Sequence, residues 1–358
     1  MDNIGGAEMV TLSLAEHLNA DVYSCVANQE NIKKMGFSVK VKTISPIPLK
    51  PPLRQQMAAH NFKKLKLKDK YDFYIIAGDW AITGAVHNKP NLWYVHAPKR
   101  ELWDLYEYTR EHLVPDGKHI KNFNRYVFDV WVRYNRWVDK KYIKHIEQLA
   151  CNSKTVQARI KKYLKRDAVV IYPPTDTRKF AYKTTGDYWL SVNRTIKTKR
   201  IELQTGAFKQ LPDEKLIIVA TYEDAEHFLE YRKTITDTKP DNVTLVSHVS
   251  FDELTDLYAN CKGFITTAKD EDFGLTAVEA MASGKPVIAP NEGGYSETIV
   301  HGKTGLLIDA ISVEKIVDAI KEINRNPAAY KDACIKRAQL FDTRVFIEAI
   351  KKQIGYGA

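Results

Sequence analysis

An α/β fold in two domains is what the sequence predicts, and three observations carry it. In the second half, apolar runs at 216–220, 243–246, 263–266 and 286–289 alternate with helix-period segments such as Phe251–Asn260. That rhythm builds a parallel sheet. At 358 residues the chain is long for one hydrophobic core and natural for two. Pro173-Pro174-Thr175-Asp176 then supplies a stiff extended linker, because proline fixes φ and pushes the residue before it out of the helical region. The expected domains are residues 1–172 and 173–342.

Composition narrows the class. The chain is 44% hydrophobic and 27% charged, ordinary for a soluble globular protein. It has no run of about 18 apolar residues, the length a spanning helix needs. It has no secretory apolar core either, and Met1-Asp2-Asn3-Ile4-Gly5-Gly6 reads as a loop. Cys25, Cys151, Cys261 and Cys334 are scattered through apolar segments. They read as four buried thiols in a reducing, cytoplasmic setting, with no structural metal site. The net charge of +10 is uneven: residues 1–170 carry about +12. Clusters at Lys63, Lys64, Lys66, Lys68 and Lys70, at Lys140, Lys141 and Lys144, and at Lys161, Lys162, Lys165 and Arg166 suit a solvated face or one that attracts anionic headgroups.

Taken in order, Gly5-Gly6-Ala7-Glu8 enters an amphipathic helix with Val10, Leu12, Leu14, Ala15 and Leu18 apolar. Paired glycines there allow backbone to approach a phosphate closely. Strands are expected at 21–24, 39–43 and 71–77, with a helix around 51–69 between them. The strand at 91–95 runs into His96, which puts an imidazole at the carboxyl edge of a parallel sheet, where open α/β folds bind ligands. Residues 119–146 form a long helix crowded with Phe123, Tyr126, Phe128, Trp131, Tyr134, Trp137 and Tyr142, interleaved with Arg125, Arg133, Arg136 and Lys140. Its rings suit either a core or a membrane edge. A strand at 148–151, a helix at 153–163 and a strand at 168–172 close the first domain.

The second domain opens with a strand ending at Arg194, followed by Lys199 and Arg200 at a helix start. Cations there suit a diphosphate clamp, Arg by its planar fork and Lys as a point charge. The chain's central stretch is residues 271–284, E-D-F-G-L-T-A-V-E-A-M-A-S-G. An acidic loop opens a helix with Val278, Met281 and Ala282 buried, and Gly284 caps it. Gly274 lies where bare helix amides and the positive dipole end meet an anion, with Glu271 before it and Glu279 within two turns. Gly293-Gly294 repeats the paired-glycine helix entrance, and helices at 312–324, 327–340 and 343–355 finish the chain.

The Glu-x7-Glu spacing inside E-D-F-G-L-x-x-V-E-A-M-A resembles the retaining glycosyltransferases of family GT4, built on the GT-B fold. G-G-A-E, H-A-P-K-R-E-L-W-D-L-Y, V-V-I-Y-P-P-T-D and S-V-N-R-T-I-K-T-K-R-I-E-L resemble further markers of that family, in the expected order. The resemblance implies two Rossmann-like domains facing across a cleft, with the last helix, about 343–358, packed back on the first domain. It implies that the first domain lacks the N-terminal strand that precedes G-G-A-E in the family, hence a poorly stable product. It gives Glu279 to the nucleotide ribose and His96 and Glu271 to the transferred sugar. Gly5, Gly6, Arg194, Lys199, Phe273, Gly274 and Leu275 go to the remaining donor contacts, and Arg100 and Trp103 to the acceptor side.

The expected function is thus transfer of a hexose from a nucleotide sugar, GDP-mannose foremost by likeness around His96, to a glycan or lipid-linked acceptor. No metal or other cofactor is expected, although Asp270-Glu271-Asp272 spells the Asp-x-Asp of another fold. Peripheral contact with an anionic membrane on the cytoplasmic face is expected from the basic aromatic segments, and no nucleic acid. Three alternatives stay open: a UDP-sugar donor, a glycoside hydrolase using Glu271 and Glu279 as its carboxylate pair, and a noncatalytic basic membrane or nucleic-acid adaptor.

Overall fold

The computed structural model describes residues 5–47, 53–68, 70–112, 121–221, 226–247 and 249–356. The expected loop at Met1–Ile4 and parts of the helices expected over 51–69 and 119–146 (residues 51, 52, 69, 119 and 120) lie outside the described residues. The chain divides into two compact units, Met1–Tyr172 with Ile347–Ala358, and Pro173–Phe346.

In unit 1, β1 (Val22–Ser24) and β2 (Val41–Thr43) form a parallel pair. A four-stranded parallel sheet holds β3 (Tyr74–Ala77), β4 (Asn91–Val95), β5 (Gln148–Cys151) and β6 (Val169–Val170) in that order. Every residue of β4 is buried, which explains the apolar run at 92–95: a parallel strand is covered on both faces. Trp93 and Val95 of β4 pack with Val138, Ile143 and Val156 in one core. The helix Gly6–His17 instead packs Leu12 and Ala15 on Ile32, Phe37 and Val41. The long aromatic helix runs Lys121–Tyr142, and Gln353 of the last helix donates to Gln148 of β5 at 3.0 Å.

Unit 2 carries a six-stranded parallel sheet: β7 (Tyr188–Arg194), β8 (Lys215–Thr221), β9 (Val243–Val246), β10 (Gly263–Ile265), β11 (Val287–Pro290) and β12 (Gly305–Ile308). Their spatial order is β12-β11-β10-β7-β8-β9. The chain therefore builds outward from β7 in one direction and from β10 in the other. β7 and β10 are neighbours, with Phe264 opposite Leu190. Their diverging connections leave a crevice at the carboxyl edge, where doubly wound sheets bind ligands. Trp189, Phe208, Ile265, Ile288 and Ile320 fill the core beneath. All four cysteines are buried free thiols.

Candidate functional site

The crevice between β7 and β10 is stitched by side chains whose sequence neighbourhoods give no hint of it. Buried Thr267, just past β10, donates its hydroxyl to the Lys199 carbonyl at 2.6 Å and accepts from Gln204 at 2.9 Å. The Lys269 amide donates to the Thr198 carbonyl at 2.8 Å. Arg200 sits at φ +49°, a left-handed backbone that is uncommon outside glycine. Its Nε donates to the Thr267 carbonyl at 2.6 Å and its guanidinium pairs with Glu292. Loops after β7, β10 and β11 are thereby joined in one rigid edge.

Onto that edge the fold places the first charged pair. Lys199 Nζ lies 2.6 Å from Glu271 Oε2, with side chains only 16% and 27% exposed. A pair this close and this sheltered is screened less than a surface one. The helix Leu275–Ala282 starts beside it, with Gly274 at the N-cap and φ +91°. A Cβ on Gly274 would meet the Tyr295 ring at 2.4 Å, so only glycine lets the acidic loop turn into the helix over that ring. The helix closes with the Lys285 amide donating to the Ala280 carbonyl and the Gly284 amide to the Met281 carbonyl, both at 2.9 Å. This is the paired bonding of a glycine-terminated helix.

Glu279 follows on this helix. Tyr258 donates its hydroxyl to Glu279 Oε2 at 2.8 Å, fixing the carboxylate's direction, while burial lifts its pKa above the ordinary range. Phe273 is buried at 3% exposure and sets its ring edge-on to Phe341 at 5.3 Å. The ring of Phe273, a residue expected among the donor contacts, therefore anchors the loop. Arg194 ends β7 on the exposed surface, and Leu275 opens the helix, half-buried.

The remaining candidates lie in unit 1. His96 directly follows β4, with Tyr94 edge-on at 5.2 Å and the Asn152 amide donating to its carbonyl at 2.8 Å. Its Nε2 is buried with no hydrogen-bond partner among the described residues, and burial holds its pKa down to about 4. A buried orphan nitrogen of this kind costs stability unless something satisfies it. The pH consequence has a definite sign. The unfolded chain takes a proton at His96 below about pH 6.5, whereas the folded one refuses it until about pH 4. Stability from this group is therefore full above pH 6.5 and declines as pH falls toward 4. His96→Gln is expected to shrink the difference in melting temperature between about pH 7.5 and about pH 5; an unchanged difference would show that His96 is not the group responsible.

Arg100 pairs with Asp104 at 2.8 Å, and Arg159 reaches the same carboxylate at 3.5 Å. Trp103 stacks on Tyr163 at 5.4 Å and donates to Asp139 at 3.4 Å. The Gly5 amide, expected to face a phosphate, donates to the Glu8 carboxylate at 3.0 Å. This N-terminal bond occupies an amide that a phosphate would have to win.

Two family models match the chain: Glycosyltransferase Family 4 over residues 4–179 and Glycosyl transferases group 1 over residues 174–341. Among curated relatives, the O-antigen chain mannosyltransferase RfbU of Salmonella typhimurium is 27% identical over 286 residues, covering 75% of this chain and 79% of that protein. The uncharacterized glycosyltransferase MJ1178 of Methanocaldococcus jannaschii is 27% identical over 182 residues, half of each chain. An alpha-1,3/1,6-mannosyltransferase, ALG2 of Dictyostelium discoideum, is 30% identical over 171 residues, 42% of this chain and 40% of that one. The chain thus spans half or less of the length of several curated relatives it matches. Among solved structures, Anabaena Alr3699/HepE in complex with UDP and glucose superposes with TM-score 0.76 at 19% identity, covering 99% of this chain and 97% of that one. Sucrose-phosphate synthase from Thermosynechococcus elongatus gives 0.74 at 18% identity, covering 97% and 92%.

Proposed function

From a chain that belongs to glycosyltransferase family 4, with the GT-B fold, we propose a retaining hexosyltransferase whose donor is a nucleotide sugar, with GDP-mannose the first candidate. The observation that carries the reading is the Lys199–Glu271 pair at the switch point of the unit 2 sheet. It sets one cation and one acid beside a helix start, with Tyr258-held Glu279 on the same helix. The chemical demand is neutralisation of a diphosphate as it leaves, and preorganised charge is the strongest help an enzyme offers there. Lys199, Arg194 and the amides from Gly274 and Leu275 meet that demand. Glu279 takes the ribose hydroxyls, its second oxygen left for them because, among the described residues, Tyr258 bonds only Oε2. Glu271, with backbone from Phe273 and Gly274, orients the sugar.

In unit 1, His96 is assigned to the sugar, Gly5 and Gly6 to the phosphates, and Arg100 and Trp103 to a glycan or lipid-linked acceptor. The carboxyl-edge position of His96 and its Nε2, unpartnered among the described residues, support the first of these. Mannose is supported by the mannosyltransferase relatives. A UDP-sugar is the second reading, favoured by the UDP held by the similarly folded Anabaena protein. A glycosidase has no use for the cationic side of the crevice.

Calorimetry against GDP-mannose, UDP-glucose and UDP-GlcNAc, each with and without chelator, tests this. The expected result is binding of one donor, GDP-mannose, unaltered by chelator. Preference for a UDP-sugar would replace the donor, loss of binding in chelator would restore Asp270 and Asp272 as metal candidates, and no heat from any donor would overturn the transferase reading.

A further inference from the structure

The outward face of the helix Lys121–Tyr142 carries a charge and polarity order that neither the core nor the crevice uses. Tyr126, Val130, Tyr134 and Trp137 follow one another at helical spacing and are all exposed, Tyr126 at 68% and Trp137 at 54%. Lys140 and Lys141 continue the face, and Lys141 Nζ sits 4.8 Å above the Trp137 ring. The acids of this helix are turned away. Asp129 accepts from Tyr106 at 2.7 Å and from Arg110 at 2.9 Å. Asp139 is buried against Lys99, both side chains 3% exposed. Among its described side chains, none of the exposed ones is acidic.

The neighbouring helix Leu53–Lys64 repeats the order. Leu53, Met57, His60 and Lys64 lie exposed at helical spacing, apolar first and basic last. Gln56 donates to Asn135 at 3.1 Å and so ties the two helices together. Exposed rings and aliphatics beside a row of cations with no acid among them match one environment well. At a bilayer surface, Trp and Tyr settle at the headgroup level, and lysines meet lipid phosphates. A nucleic acid would use the lysines but leave Leu53, Val127 and Val130 without a role. No helix among the described residues is long and apolar enough to cross a membrane, so contact of this kind lies in the interfacial plane.

We propose that these two helices form a docking face for a bilayer containing anionic phospholipid, an inference independent of the donor or even of transferase activity. The full chain is sedimented with phosphatidylcholine vesicles, with and without phosphatidylglycerol. Binding is expected only with phosphatidylglycerol, and it should fall as salt rises from about 0.1 M to about 1 M, where the screening length shrinks from ~10 Å to ~3 Å. Lys140→Glu with Lys141→Glu and Lys144→Glu should weaken it about a hundred-fold. Tyr134→Ser with Trp137→Ser should keep the salt-sensitive binding but abolish the blue shift of tryptophan fluorescence on vesicles. All these positions are exposed, so melting curves should match the unaltered protein. Equal sedimentation with neutral vesicles, none with anionic ones at low salt, or undiminished binding by the lysine variant would overturn the proposal. So would RNA binding through those lysines without vesicle binding.

Discussion

Glu271→Ala is expected to lower the turnover of sugar transfer by about a hundred- to a thousand-fold while nucleotide-diphosphate affinity holds or tightens. The two effects separate because Glu271 has two tasks. In the fold it pairs with Lys199 at 2.6 Å, so removing it releases a cation toward the phosphates rather than disabling it. In the proposed reaction it bears on the sugar, whose charge changes on the way to the transition state. A loss confined to turnover is the signature of an interaction made in the transition state, whereas a rise in KM alone would mark uniform binding. Lys199→Ala supplies the counterpart, since it deletes the point charge facing the leaving group and should weaken nucleotide binding as well as turnover. Single-turnover kinetics with calorimetry on both variants gives the comparison. Unaltered turnover in Glu271→Ala would remove the residue from the mechanism, whatever its pairing.

How far the sequence reaches is visible in the partners of that pair. Glu271, Gly274, Glu279 and the strand ends at Arg194 and His96 stand in contiguous stretches whose periodicity and glycines speak locally, and the structure puts each on the expected element. β5 is found at the expected 148–151 because its apolar run is bounded on both sides. The holders of the site are a different matter. Tyr258 lies on the helix Phe251–Asn260, where an aromatic at helical spacing reads as core. Only the tertiary fold brings its hydroxyl to Glu279, 21 residues away. Arg200 sits in K-T-K-R, where the sequence suggests cations for a diphosphate, yet its guanidinium binds the Thr267 carbonyl and Glu292. Phe273 is similar: its motif suggests contact with ligand, and its ring packs on Phe341. Side chains that brace a site from another element carry no local signal, because their geometry belongs to the sheet order and not to their neighbours in sequence.

Gly293-Gly294 shows the same limit and yields the other large effect. The pair reads as a second helix entrance, and it does open the short helix Tyr295–Thr298. Its tighter constraint is backbone against backbone. A Cβ on Gly294 would meet Phe273 Cα at 2.4 Å and the Asp272 carbonyl oxygen at 2.7 Å, and one on Gly293, which has φ +61°, would meet the Glu271 carbonyl oxygen at 2.4 Å. The Gly294 amide also donates to that Glu271 carbonyl at 2.7 Å. No flexible side-chain tip is available to yield, so an added methyl moves the loop that carries Glu271. Overpacking of this kind costs about 1–3 kcal/mol, and a shift of about 1 Å at reacting groups costs about a hundred-fold in rate. Gly294→Ala is therefore expected to lower the melting temperature by several degrees, at roughly 2–4 °C per kcal/mol for a unit of this size. The surviving folded fraction should transfer sugar as poorly as Glu271→Ala does. Because Lys199 stays anchored through Thr267, nucleotide affinity should fall much less than turnover. Alanine at 294 with native turnover and native melting would mean that the acidic loop is free to retreat, and that its position is not what the crevice depends on.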